Sequence, residues 1–383
     1  MRILIVKMSP IEAITSSMFR TLAIARGLHE QGHQIDFLTV PDTNTNAKAE
    51  PKHFIQDINI IRTKPNNLFI NASKTINQNK SSLKKIVISA ARTLWHKLCI
   101  YDNTINIAKS ISLDLLPTNK YDIVISSSDP KTAHIVVKRL LKQGLECGKW
   151  IQYWGDPLTL DITQKSIYPK IILKACERGL IGKADKIVYV SPFTLDEQKK
   201  LFPKYAKRMC FLPIAYMEKK EYPQTCNSQF VVGYYGDYKS NVRNIVPFYQ
   251  ACRELGDLIH ADIIGDTDLT LESDANINVL PRGIKDSYEE KADLVVCILN
   301  SRGTQIPGKI YHEAGTNKAI LVIVDGEKRD QMYEYLESFS RFIVCDNDVE
   351  AIKNAILKVI KCKSKVHPLE ELHYVNISMK LIS

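Results

Sequence analysis

The stretch Ile306–Glu327, IPGKIYHEAGTNKAILVIVDGE, constrains the fold more than any other in this chain. It reads as a loop, a short helix, a turn and a buried strand. Pro307 and Gly308 open it, and proline suits a helix entry because its missing N–H has no partner there in any case. Lys309–Ala314 start the helix, and Gly315–Asn317 break it. Ala319–Val324 is an apolar, mostly β-branched run, the pattern of a parallel strand covered on both faces. A helix N-terminus carries partial positive charge and free N–H groups, so it suits a phosphate. Lys309 adds a full charge, and His312 and Glu313 lie one turn on, within reach of a sugar hydroxyl. An ordinary αβ turn of a doubly wound domain would show the same pattern with no ligand.

The same alternation recurs twice along the chain. Ile3–Val6 is a short buried strand, Met18–Glu30 a helix with apolar spacing at Met18, Leu22, Ala25 and Leu28, and Ile35–Val40 the next strand. This βαβ unit implies a parallel sheet with right-handed crossovers. Tyr121–Ser128 is a strand running into a serine-rich loop, Thr132–Leu141 a helix, and Trp150–Tyr153 a strand ending in Trp154-Gly155-Asp156-Pro157. Ligands bind at strand C-termini in open α/β sheets. Asp156 is therefore a candidate to orient an acceptor hydroxyl or stabilise developing charge, against the plainer reading of a turn aspartate before proline. His134 is a weaker catalytic candidate, and His33, just past a helix end, reads as structural. Further strands are expected at Ala184–Ser191 and Phe211–Ala215, then a polar linker over Tyr216–Ser228. The second half starts over with a strand at Phe230–Tyr235, the loop Gly236-Asp237-Tyr238, and a helix over Asn241–Leu255. Glycine there lets the backbone approach a phosphate. Strands follow at Ala261–Ile264, Ile277–Leu280 and Ala292–Leu299, and a helix at Val349–Lys361. The expected organisation is an N-terminal domain over 1–216, a C-terminal domain over 229–362, and a tail over 363–383 whose residues carry little signal.

Nine cysteines in 383 residues are scattered singly with no C-x-x-C, which argues against a disulfide framework or zinc site and for a reducing compartment. The first apolar run holds only four residues before Lys7, and no run approaches the roughly 20 that a spanning helix needs. A cytoplasmic protein is expected, peripheral on the inner membrane face. The net charge of +10 is unevenly placed: between Asp57 and Asp102 there is no acidic residue and there are eight basic ones. Within that interval Leu83–Ile100 reads as a helix with Leu83, Ile86, Val87, Ala90, Leu94 and Leu98 on one face. Lys84, Lys85, Arg92, Trp95 and Lys97 form a candidate patch for an anionic membrane or an acceptor, against the plainer reading of a solvated basic face.

Lys309, Ile310, Tyr311, Lys318 and Ile320 match a P-x-K-I-Y-E-Y-(L/A)-x-x-G-(K/R)-P-(I/V) pattern, and the segment resembles the nucleotide-sugar site of glycosyltransferase family 4. Three positions depart from it: His312 stands for the glutamate that holds the ribose, Asn317 for a glycine and Ala319 for a proline. Glu313 sits one residue late, so the ribose role falls to either His312 or Glu313. The resemblance extends from Ile3 to about Ile360 in the order of elements, although the usual Gly-Gly of the first loop is missing. It implies an α/β protein of two Rossmann-like domains facing across a cleft, the GT-B fold, with a C-terminal helix that crosses back onto the first domain. The implied activity is transfer of a sugar from a nucleotide diphosphate sugar to an acceptor hydroxyl, retaining and without a metal or other cofactor. Family habit and the basic stretch together point to a lipid-linked glycan acceptor in surface polysaccharide assembly, and not to nucleic acid. The family clamps the diphosphate with an Arg and a Lys at the first glycine loop of the second domain. Here Asp237 takes the Arg position, Arg243 falls within one residue of the Lys position, and Lys239 is near. The implied donor site is Gly236, Lys239, Arg243, Arg282, Pro307, Gly308, Lys309, His312 and Glu313. Two alternatives remain: a nucleotide-sugar epimerase of the same fold, and a non-catalytic scaffold. A dehydrogenase is disfavoured because no G-x-G-x-x-G follows the first strand of either half.

Overall fold

Apolar runs separated by helices become two all-parallel sheets in a computed structural model of the chain. The structure describes residues 1–42, 56–64, 90, 93–95, 97–102, 104–162, 164, 166–223, 227–283, 286–362 and 366–383. It divides into two units: Met1–Pro213 with Tyr374–Ser383, and Ile214–His373.

The first unit contains β1 (Arg2–Val6), β2 (Gln34–Thr39), β3 (Asn59–Arg62), β4 (Lys120–Ser127), β5 (Glu146–Trp154), β6 (Lys186–Tyr189) and β7 (Met209–Phe211). Their order is β3-β2-β1-β4-β5-β6-β7, with every neighbouring pair parallel. The helices between them are α1 (Ser16–Glu30), α2 (Ile105–Ala108), α3 (Thr132–Lys142), α4 (Lys170–Ile181) and α5 (Pro192–Leu201). Both faces of the sheet are covered, so the central strands are buried and mostly apolar: Ile3–Val6 and Trp150–Trp154 are all buried, Gln152 among them. Thr15 caps α1 by accepting from the Met18 N–H, and the chain leaves the helix through Gly32 at φ +79°.

The second unit holds β8 (Phe230–Tyr235), β9 (Ile259–Ile264), β10 (Ile277–Leu280), β11 (Leu294–Ile298), β12 (Ala319–Val324) and β13 (Ile343–Asp346), ordered β10-β9-β8-β11-β12-β13. All these pairs are parallel. Its helices are α6 (Val246–Leu255), α7 (Asp286–Lys291), α8 (Gly308–Glu313), α9 (Arg329–Glu337) and α10 (Val349–Lys361). A last helix, α11 (Tyr374–Ile382), belongs to the first unit and packs along α1. Gly27 makes that packing possible: a Cβ there would lie 2.3 Å from Ser378 Oγ and 2.5 Å from the Tyr374 carbonyl oxygen. Tyr374 donates its hydroxyl to the Glu30 carboxylate, and the Arg26 guanidinium lies over the Tyr374 ring.

The structure differs from the sequence expectation at four places. The boundary falls at Pro213, and the described residues 214–223, 227 and 228 belong to the second unit. The Lys220 N–H donates to the Gly315 carbonyl, the Tyr222 N–H to Asn317 Oδ1, and the Tyr216 N–H to the Leu372 carbonyl. The tail agrees with the resemblance: it contains the C-terminal helix expected on the first domain, α11, whose Tyr374, Ile377 and Leu381 are buried. The seventh strand is Met209–Phe211, ending before Pro213, which cannot donate to a ladder. α6 begins at Val246 rather than Asn241, because Pro247 sits in its first turn and the Asn244 side chain accepts from the Val246 N–H. Finally, a strand, β3, pairs with β2 where no element is expected from the sequence.

Candidate active site

In the second unit the strand order reverses between β8 and β11, and a ligand is expected outside the C-terminal ends of strands at such a point. Most of the donor-site candidates meet there. Gly236 follows β8 directly, and its N–H donates to the Ile264 carbonyl. The backbone of Gly265 runs so close that an added Cβ would lie 2.0 Å from the Gly236 carbonyl oxygen, so only glycine fits. Three cations surround this loop. Lys309 donates its ammonium to the Tyr235 carbonyl, with the Tyr235 and Tyr234 ring centres 5.0 and 5.8 Å away. Arg243 donates from Nη1 to the Asp237 carbonyl at 2.8 Å. Arg282 pairs with the Asp237 carboxylate at 3.1 Å from an exposed position. Asp237 also accepts from the Asp266 N–H at 3.1 Å. The Asp237 carboxylate thus holds an arginine from after β10.

Arg243 lies in a turn, its N–H donating to the Lys239 carbonyl, and not on the helix expected from Asn241. Lys239 is exposed in the same turn. Pro307 is the N-cap of α8 and Gly308 its first residue. With six residues, α8 has too little dipole to carry a phosphate by itself, and the positive charge comes from the Lys309 side chain. Glu313 is buried, with its carboxylate 4.0 Å from the Lys309 ammonium, while His312 is partly exposed. Two Asp-x-Asp pairs occur and both have structural partners. Asp268 accepts from the Ser240 N–H and hydroxyl at 2.7 Å each, and Asp348 caps α10 by accepting from the Glu350 and Ala351 N–H groups.

The first unit reverses its strand order between β1 and β4, and a denser charge cluster sits at that point. Lys7, the residue after β1, is fully buried and donates to the Ser128 and Asp129 carbonyls at 2.9 and 2.8 Å. Burial, then the Arg20 charge, holds its ammonium pKa well below the usual lysine value. Arg20, from α1, donates to the Ser128 carbonyl, and its guanidinium lies over the Tyr153 ring. It also passes Gly155 so closely that a Cβ there would lie 2.2 Å from Nη1. Lys131 bridges the carboxylates of Asp129 and Asp161 at 2.9 Å each. Those two carboxylates raise the Lys131 pKa against the opposing effect of burial. Asp129 has Lys131 and Arg20 beside it, and these outweigh its burial to pull its carboxyl down to about 2. The pKa of Asp156 is pushed up to about 7 by burial and then by the Asp129 and Asp161 charges. Glu177, fully buried, accepts from the Leu158 and Thr159 N–H groups at 3.1 and 2.8 Å and so fixes the loop that carries Asp156.

His134 does not join this cluster as a catalyst. It is fully buried, bonds Ser126 Oγ through Nδ1 at 2.8 Å, and stacks on Trp154 with ring centres 4.2 Å apart. Burial drives its pKa down to about 3, so it is a neutral core ring. Sequence reasoning passed over Lys7, Arg20, Asp129, Lys131 and Glu177, although Lys7 and Asp129 follow strand ends as directly as Asp156 does. Of the basic patch, Trp95 and Lys97 are exposed, while Lys84, Lys85 and Arg92 lie outside the described residues.

No family model matches this chain, and no curated protein matches it in sequence. Solved structures do match over its full length. A glycosyltransferase from Rickettsia africae shares 12% identity with a TM-score of 0.53, covering 100% of this chain and 95% of its own. HepE from Anabaena, solved with UDP, shares 11% with a TM-score of 0.54, covering 100% and 94%. WaaG, a glycosyltransferase of lipopolysaccharide biosynthesis, shares 10% with a TM-score of 0.52, covering 100% and 95%. The likeness spans both units, and the chain has the two-domain, Rossmann-like GT-B fold.

Proposed function

We propose that this protein is a glycosyltransferase that moves a sugar from a nucleotide diphosphate sugar to an acceptor hydroxyl. One observation carries the reading: Lys309, Arg243 and Arg282 converge on the Tyr235–Asp237 loop at the switch point of the second unit. The fold neighbour solved with UDP supports a nucleoside diphosphate as the group held there. The leaving diphosphate gains negative charge as the glycosidic bond breaks, and fixed cations aimed at that charge are usually the largest catalytic contribution. In this reading the diphosphate is held by side chains and not by a metal or other cofactor, and the sugar keeps its anomeric configuration. His312, the more exposed of the two ribose candidates, takes the ribose contact. The acceptor side is the first unit, where Asp156 orients the acceptor hydroxyl. The acceptor itself is a lipid-linked glycan of surface polysaccharide (O-antigen or capsule) assembly, supported by the neighbour from lipopolysaccharide biosynthesis. That places the enzyme in the cytoplasm, peripheral on the inner membrane face. Nucleoside diphosphate release from nucleotide sugars, measured with and without lipid-linked acceptors, tests this. Release that requires an acceptor and is lost in Lys309→Ala supports transfer; conversion of the nucleotide sugar without any acceptor would replace it with epimerisation.

A further inference from the structure

Twelve large apolar side chains stand exposed among the described residues, and seven of them fall in two short segments of the first unit. Leu94, Trp95 and Leu98 come from one, and Ile167, Tyr168, Ile171 and Ile172 from the other. The segments are far apart in sequence but adjacent in space, because the Ile167 N–H donates to the Lys97 carbonyl at 2.9 Å. Ile171 is 76% exposed and Ile167 63%, values that no packing role explains. The reason lies in the helix: α4 turns Leu173, Glu177, Leu180 and Ile181 inward, which leaves Ile171 on the outer face with Lys174 and Arg178 following it.

We infer that these two segments form one face that docks on an anionic lipid surface. Charge complementarity decides the occupant. Residues 93–101 and 166–174 contain Lys97, Lys170 and Lys174 and no acidic residue. Exposed aliphatic side chains with tryptophan and tyrosine beside them suit the headgroup boundary, where the apolar part enters and the polar edge stays wet. The lysines flanking them add attraction to anionic headgroups. No helix among the described residues is long and apolar enough to cross a membrane, so the contact is lateral. This adds to the basic stretch a second element, Ile167–Lys174, whose lone sequence showed no membrane pattern. The inference stands whether or not the acceptor is lipid-linked.

Co-sedimentation of the full chain with vesicles of phosphatidylcholine and phosphatidylglycerol at low salt tests it. The wild-type protein should pellet with these vesicles at least tenfold more than with phosphatidylcholine alone. The double variant Ile167→Asp, Ile171→Asp should lower partitioning at least tenfold while keeping the wild-type unfolding temperature, because both side chains already face solvent. Equal partitioning of variant and wild type, or equal binding to neutral vesicles, would overturn the proposal. So would a wild-type dimer in solution that the double variant dissolves without any change in vesicle binding, since the face would then belong to a second copy.

Discussion

Lys309 donates its ammonium to the carbonyl of Tyr235, so the first turn of α8 is tied to the end of β8, 74 residues earlier in the chain. Arg243 holds the carbonyl two residues further on in the same way. Both cations thus donate to main-chain oxygens, and the Lys309 ammonium also lies 4.0 Å from the buried Glu313 carboxylate, so an incoming diphosphate would compete with these contacts. A hydrogen bond to a charged group contributes about 1.5–3 kcal/mol. Lys309→Ala and Arg243→Ala are each expected to weaken nucleoside diphosphate binding by roughly ten- to a hundredfold on that scale. Isothermal titration calorimetry checks this, and unchanged affinity in both variants would remove the clamp.

Asp156 gives a pH-dependent prediction. Its folded pKa of about 7 lies above its ordinary value of 3.8, so the proton is bound more tightly in the folded state. The stability this contributes is complete below pH 4 and is lost as the pH rises towards 7. Asp156→Asn removes that dependence. Wild type should therefore lose stability relative to the variant between pH 4 and 7, by on the order of 2 kcal/mol once its partial exposure is allowed for. Urea unfolding across that range reads the difference. Parallel curves would show that Asp156 is an ordinary surface carboxylate. In transfer assays the same variant should lose about a hundredfold in rate while binding the nucleotide as before.

The α1–α11 contact rests on Gly27. Gly27→Val brings a side chain against the Tyr374 carbonyl, which backbone cannot yield cheaply. Overpacking of this kind costs about 1–3 kcal/mol. Thermal unfolding should show the loss in the first unit, with nucleotide binding by the second unit retained. A variant as stable as wild type would mean that α11 packs less closely than described.

How far the sequence was legible follows from how local each signal is. The stretch Gly308–Val324 was read nearly residue by residue, because a proline entry, a Gly-Thr-Asn break and a β-branched run each act within a few positions. Lys309 followed from its place at the helix start before β12, whereas Arg243 and Arg282 were reached only through the resemblance to glycosyltransferase family 4. The acceptor-side cluster was largely hidden. Lys7, Arg20, Lys131 and Asp161 have unremarkable neighbours, and only the parallel pairing of β1, β4 and β5 assembles them. His134 misled for the converse reason: a histidine on a helix beside a candidate loop looks available until Trp154 is found stacked on it. α11 was expected only through the resemblance, because nine residues give too short a period to read by themselves.

The central claim is that the second unit binds a nucleoside diphosphate at Lys309 and Arg243, and the most direct test is thermal-shift binding of the full chain against UDP, GDP, dTDP, CMP and NAD. A ligand at 100 times its dissociation constant adds about 2.7 kcal/mol of stability, which is readily resolved. The account predicts stabilisation by one nucleoside diphosphate, lost in the Lys309→Ala, Arg243→Ala double variant. Stabilisation by NAD instead, or by none of the five, would contradict it.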